Sequence, residues 1–229
     1  MKRHYPKIEA KTWKWLLALV ISVGSFYGVS LLFYALKVKN EIVYALAISI
    51  LCLLSLLVVD KNFIKKIFLP IKMKDLGYIV IGLGFSVVAV IISAIAVERL
   101  GIKGATNPIF DVLTPDNFKS FFVSTTIQFI AEEIIFIIPF LFVINKMKTK
   151  NNILKTTLAI LLSSVIFGAM HLSTYNFNLL QAVLIISIIR TGLSMSYVLS
   201  KNLSVTYVIH IIYDWSLILI YLAAGQMIQ

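Results

Sequence analysis

Along this chain apolar residues fall in long unbroken blocks, not at the helical or strand period of elements that bury a single face. A helix needs about 20 apolar residues to cross the hydrocarbon core of a bilayer. Seven blocks meet or approach that length, at roughly 13–36, 41–59, 77–97, 121–145, 156–174, 178–199 and 205–224. The pattern predicts an all-α, polytopic membrane protein of about seven transmembrane helices. An eighth or re-entrant segment would move the C-terminus to the other side. The first block follows a basic stretch and is too long for a signal-peptide core. It runs on as Tyr34-Ala35-Leu36-Lys37 with no small-residue cleavage site, so it reads as a retained first helix.

Composition agrees. Of 229 residues 60% are hydrophobic and 14% charged, against about 25% charged in a soluble domain, and the mean hydropathy is +0.96. A soluble enzyme, a disordered chain and a disulfide scaffold are excluded. The one cysteine, Cys52, lies inside an apolar block without an intrachain partner.

A net charge of +11 would suggest nucleic acid in a soluble protein; here it reads as topology signal and attraction to lipid headgroups. With the N-terminus in the cytosol, fifteen Lys/Arg fall in cytosolic segments (from Lys2 to Lys14, 60–76, 146–155 and Lys201) and five outside, with Arg190 alone within a span. The positive-inside rule therefore favours a cytosolic N-terminus and, with seven spans, an external C-terminus. Richness in Ile, Lys and Asn suggests a low-GC bacterium, and so a multi-pass protein of a bacterial plasma membrane. The stretch 62–70 interleaves bulky apolar and basic residues, which fits a short interfacial element on the inner leaflet or an ordinary positive loop. No internal repeat is visible.

Ionisable groups at the bilayer centre cost at least about 2.5–3.5 kcal/mol each and so usually face a protein interior or a watery cavity. Here they are Glu132 and Glu133 in the fourth block, His171 in the fifth, Arg190 in the sixth, and His210 and Asp214 in the seventh. The first three blocks carry none in their middles. A functional four-helix core with three accessory helices follows, dividing the chain at 1–119 and 120–229. Adjacent helix positions point about 100° apart, so one carboxylate of the pair can face a cavity while the other reaches a neighbouring helix. His210 and Asp214, four apart, share one helical face. A Glu plus a His can activate water by general base catalysis. The same set is compatible with a catalytic zinc shell of three protein ligands and one open position, and residue types alone do not choose between them.

In order, Glu132-Glu133, Phe167-Gly168-Ala169-Met170-His171 and His210-Ile211-Ile212-Tyr213-Asp214 resemble the three motifs of the CPBP family. That family, also called Abi, holds the second type of CAAX prenyl endoproteases and bacteriocin-processing or immunity proteins. The resemblance covers about residues 120–224 and extends to Gly192, Tyr197 and the Lys201–Ser204 turn. It implies that Glu132 and His171 activate the hydrolytic water, while His210 and Asp214 stabilise the oxyanion or orient the first two. It leaves open a metalloprotease or a metal-free glutamate mechanism. The chain departs from the family pattern at Ile137, where an Arg is expected four residues after the pair. Arg190 is then expected either to replace that Arg by pairing with Glu133, or to line a watery cavity or bind lipid. One tension remains in the counting. His171 falls near the outer end of its span and His210 in the inner third of its own, so meeting Glu132 at midplane requires tilted, offset or re-entrant helices.

The expected function is an intramembrane endopeptidase acting on a membrane-associated protein or peptide, as in CAAX processing, bacteriocin maturation or self-immunity. Its expected partners are membrane lipids, a peptide or protein substrate, and a membrane-protein partner; nucleic acid is not among them. The competing expectations are a non-catalytic immunity or scaffold protein of the same fold, and a small ion-coupled carrier.

Overall fold

The computed structural model describes residues 3–105 and 107–226; Lys2, counted above with the basic N-terminal segment, lies outside them. Nine α-helices and one π-helical turn form among the described residues, with no strand. Seven helices are long and apolar enough to cross a membrane. They are α1 (Thr12–Ala35), α2 (Glu41–Val59), α4 (Asp75–Leu100), α6 (Phe118–Lys146), α7 (Asn152–Met170), α8 (Ile186–Ser200, entered through the π-helical turn Leu180–Ile185) and α9 (Leu203–Gln226). Two short helices, α3 (Phe63–Ile67) and α5 (Ile109–Val112), lie in the connections. The predicted all-α polytopic fold is borne out.

Local chemistry sets the ends. The Asn40 and Asn151 side chains accept from the backbone N–H of Val43 and Leu154, satisfying donors that the first turns of α2 and α7 leave free. Gly101 and Lys201 end α4 and α8 in the left-handed conformation. The fifth span stops four residues short of its predicted end, at Met170, with His171 as its C-cap. Residues Asn176 and Phe177, at φ 51° and 57°, reverse the chain there, which a continuous helix to 174 would not permit.

The central helix is α6: 61% of its most apolar window is buried, against 22% for α1 and for α4, which expose large aliphatic side chains outward. Around it pack α1, α2, α7 and α9, while α4 lies along α8. Gly192 allows that last crossing, because a Cβ there would come within 2.6 Å of Ala89 Cβ and 2.8 Å of the Phe85 carbonyl. Gly168 does the same for α7 on the π-helical turn, where a Cβ would lie 2.5 Å from the Ala182 carbonyl. Small residues at such contacts are the usual means of close helix approach in a membrane.

The two rims are built differently. At the rim of residues 3–11, Arg3 holds Asp75 through both oxygens at 2.7 and 2.9 Å and also donates to the carbonyls of Pro70 and Ser200. Ile8 N–H donates to Asn145, and Tyr5 packs on Phe140 and Tyr197, 5.5 and 6.0 Å between ring centroids. Burial pushes the Tyr5 phenol up to about 12. Asn202 clasps Leu69 through both backbone groups. In α3 the apolar residues Phe63 and Ile67 turn into the core and the lysines outward, with Lys66 on Asp60. The apolar side of this element is therefore committed to protein rather than to lipid.

At the opposite rim the 101–117 segment is held over the bundle. Gln181 donates to the Ala105 carbonyl and accepts from its N–H, at 2.8 and 2.6 Å. Asn178 donates to the Lys103 carbonyl, and Phe110 stacks on Tyr221 at 3.8 Å.

Candidate active site

Midway along α6, Glu132 and Glu133 diverge as adjacent helix positions must. Glu133 is fully buried and turns to α8 and α9. Both of its oxygens accept from Arg190, Nη1 to Oε1 at 2.7 Å and Nη2 to Oε2 at 2.8 Å. Oε1 also accepts from His210 Nδ1 at 2.8 Å. The Arg190 guanidinium lies between the rings of Phe136 and Phe167, 4.2 and 4.8 Å from their centroids. The pairing expected from the sequence is present, and Ile137 is buried in the apolar core instead of carrying a charge.

Glu132 turns the other way, into a cavity of about 280 Å³ that His171, Phe129, His210, Asp214 and Tyr175 also line. The five residues expected from the sequence thus gather at one place: four line the cavity and Glu133 stands behind it. His210 links the two sets. Its ring stacks on Phe129 at 4.4 Å. Its Nδ1–H is committed to Glu133, so Nε2 faces Asp214 Oδ2 at 2.8 Å and Glu132 Oε2 at 3.8 Å. The Asp214 contact lacks hydrogen-bond geometry, and that oxygen is buried without a donor.

His171 reaches the cavity because α7 ends at Met170. Its Nδ1 lies 2.9 Å from the Phe167 carbonyl. A carbonyl can only accept, so Nδ1 carries the proton and Nε2 keeps its lone pair. A C-cap histidine off the helix end, not a residue within the helix, is what closes the apparent gap in depth between His171 and midplane Glu132.

Three contributors were not anticipated. Gln128 donates to Glu132 Oε1 at 3.0 Å. It lies one turn before Glu132, and the i, i+4 spacing could have revealed it. Tyr175 and Asn107, 3.4 Å apart, line the cavity from two connecting segments, and nothing local in the sequence pairs them. Burial, then the charge of Asp214, raise the Tyr175 phenol, keeping it a proton donor. A second cavity, of about 340 Å³ between α1, α2, α6 and α7, meets the first along Gln128, Glu132, Phe167 and His171.

No group of three His, Cys, Asp or Glu side chains is arranged to hold a metal ion among the described residues. The bonding explains this: Glu133 is saturated by Arg190, and both nitrogens of His210 face carboxylates. The donor set as it stands does not fit a three-ligand zinc shell.

Residues 114–216 match the family model described as type II CAAX prenyl endopeptidase Rce1-like, which bears out the CPBP resemblance read from the three motifs. The matched family is one of proteases. No curated protein and no solved structure matches the chain.

Proposed function

We propose that this multi-pass membrane protein is an intramembrane endopeptidase in which Glu132 and His171 activate water against a peptide carbonyl. The observation that carries the reading is the convergence of Glu132, His171 and His210 on one cavity inside the bundle, with the charges behind them internally neutralised. Water held between Glu132 and the His171 Nε2 lone pair loses a proton to one of them as its oxygen adds to the scissile carbonyl. The developing oxyanion is stabilised by a proton on His210 Nε2: the ring, fixed by Glu133 and Phe129 with carboxylates beside both nitrogens, acts as an imidazolium that donates into the cavity. Collapse of the tetrahedral intermediate breaks the C–N bond, and the proton taken from water passes to the leaving amine. No step runs through a metal.

The substrate is a peptide bond in a membrane-associated protein or peptide. CAAX prenyl proteins are what the matched family is named for, and peptide maturation or self-immunity suits a chain with this lysine- and isoleucine-rich composition. Residues 120–229 form the functional core in this reading and 1–119 its support. The departure at Ile137 favours a non-catalytic role, and the pairing of Arg190 with Glu133 weighs against that reading. At equal abundance in the membrane, His171→Ala should abolish cleavage products that the wild type generates. Products that persist unchanged would overturn the proposal.

A further inference from the structure

The two rims of the bundle differ in charge and in packing, and connections of only one of them line the cavity. The segments 36–40, 101–117 and 171–179 share a rim because each joins or flanks the same ends of the seven spans. Every cavity residue contributed by a connection comes from this rim: Asn107, Ile109, Phe110, His171 and Tyr175. The helical ones come from the first half of α6, the end of α7, the first half of α8 and the middle of α9.

Towards the other rim the cavity is sealed. Arg190 fills the space between Phe136 and Phe167, and below it Phe136 and Phe140 pack edge to face on Tyr197, at 6.3 and 5.3 Å. The Tyr5 ring covers these from the N-terminal segment, which Arg3 straps to Asp75, Pro70 and Ser200.

Charge assigns a side to each rim. Among the described residues the closed rim and its flanking turns carry fourteen Lys/Arg against three Asp/Glu, and the open rim five against four. The orienting signal is an excess of Lys/Arg in short cytosolic loops, and all of these loops are short.

We propose that the catalytic cavity opens on the extracytoplasmic face of the membrane, and that its substrate is a peptide segment that has already crossed to that face. This rests on the endopeptidase reading above. A polypeptide in the cytosol would meet the strapped N-terminal segment and the aromatic floor; one on the far side meets Tyr175, Asn107 and α5 directly. The reaction that supplies this substrate is therefore a translocation step. Ile109, Phe110, Leu217 and Ile218 line the cavity, which suits apolar residues beside the scissile bond.

Two readouts test the two layers separately. Single cysteines are placed at the open rim (Asp116→Cys, Ser173→Cys) and at the closed rim (Lys148→Cys, Asn152→Cys). All four parent residues are exposed, and the native Cys52 is fully buried, so the parent chain gives the background. A membrane-impermeant maleimide should label the first pair in intact cells and the second only after lysis. The reverse pattern overturns the proposal, and two positions per rim keep the result readable if one variant fails to reach the membrane. Bonds cut by wild type and not by Glu132→Gln should map to extracytoplasmic segments. Cuts in cytosolic segments overturn the proposal while leaving the protease reading intact. Labelling as expected with no wild-type-dependent cuts removes the protease reading, and the substrate class with it, while the orientation stands.

Discussion

Arg190 and Glu133, 57 positions apart on α8 and α6, form a two-pronged ion pair at 2.7 and 2.8 Å with both side chains fully buried. The pair neutralises a charge that would otherwise sit beside the Glu132 carboxylate, and through the third bond to Glu133 it fixes the ring of His210. Removing one partner of a buried pair leaves an uncompensated charge, at about 3–5 kcal/mol.

Arg190→Met and Glu133→Gln should therefore each lower thermal stability in detergent strongly, since either one strands a buried charge. The double variant should recover most of the Arg190→Met loss. Additive losses in the double-mutant cycle would show that the two side chains are not coupled.

Glycine substitutions should report the helix crossings. Gly168→Ala and Gly192→Ala force a Cβ to within 2.5–2.8 Å of neighbouring backbone, and overpacking of this kind costs about 1–3 kcal/mol. Gly168→Ala should also lower activity beyond its effect on stability, because it displaces the helix that ends at His171. Gly84, with nothing within 4 Å of its added Cβ, should accept alanine without loss. Melting temperatures and cleavage rates of the three variants decide this.

In the proposed mechanism Gln128 positions Glu132 through its bond to Oε1. A hydrogen bond to a charged group contributes about 1.5–3 kcal/mol. Gln128→Leu should lower kcat by about tenfold or more with little change in KM, and Gln128→Asn should not rescue it, since the shorter side chain does not reach. An equal fall in kcat/KM carried wholly by KM would place Gln128 in substrate binding instead.

How far the sequence could be read follows from which forces are local. The seven spans were legible because bilayer thickness imposes a length on each apolar block, and the six ionisable residues stood out because hydrocarbon makes each of them costly. The Arg190–Glu133 pair was legible for the same reason: an unmatched buried acid and a single buried cation leave few other solutions. The end of α7 was not, because Leu172 continues the apolar block past His171 and the reversal rests on the backbone of Asn176 and Phe177, neither a glycine. Nor was the attachment of the 101–117 segment, where Gln181, Asn178 and Tyr175 meet Ala105, Lys103 and Asn107 across about 70 positions.

The most direct test of the central claim compares peptide termini across the membrane and secreted proteome of cells expressing wild type or Glu132→Gln at matched abundance. The carboxylate and the amide are close in size, so Gln128 and the packing of α6 are retained while the base is removed. Termini present with wild type and lost with Glu132→Gln are the predicted result. The same set of termini in both would contradict the assignment of Glu132 as the residue that activates water.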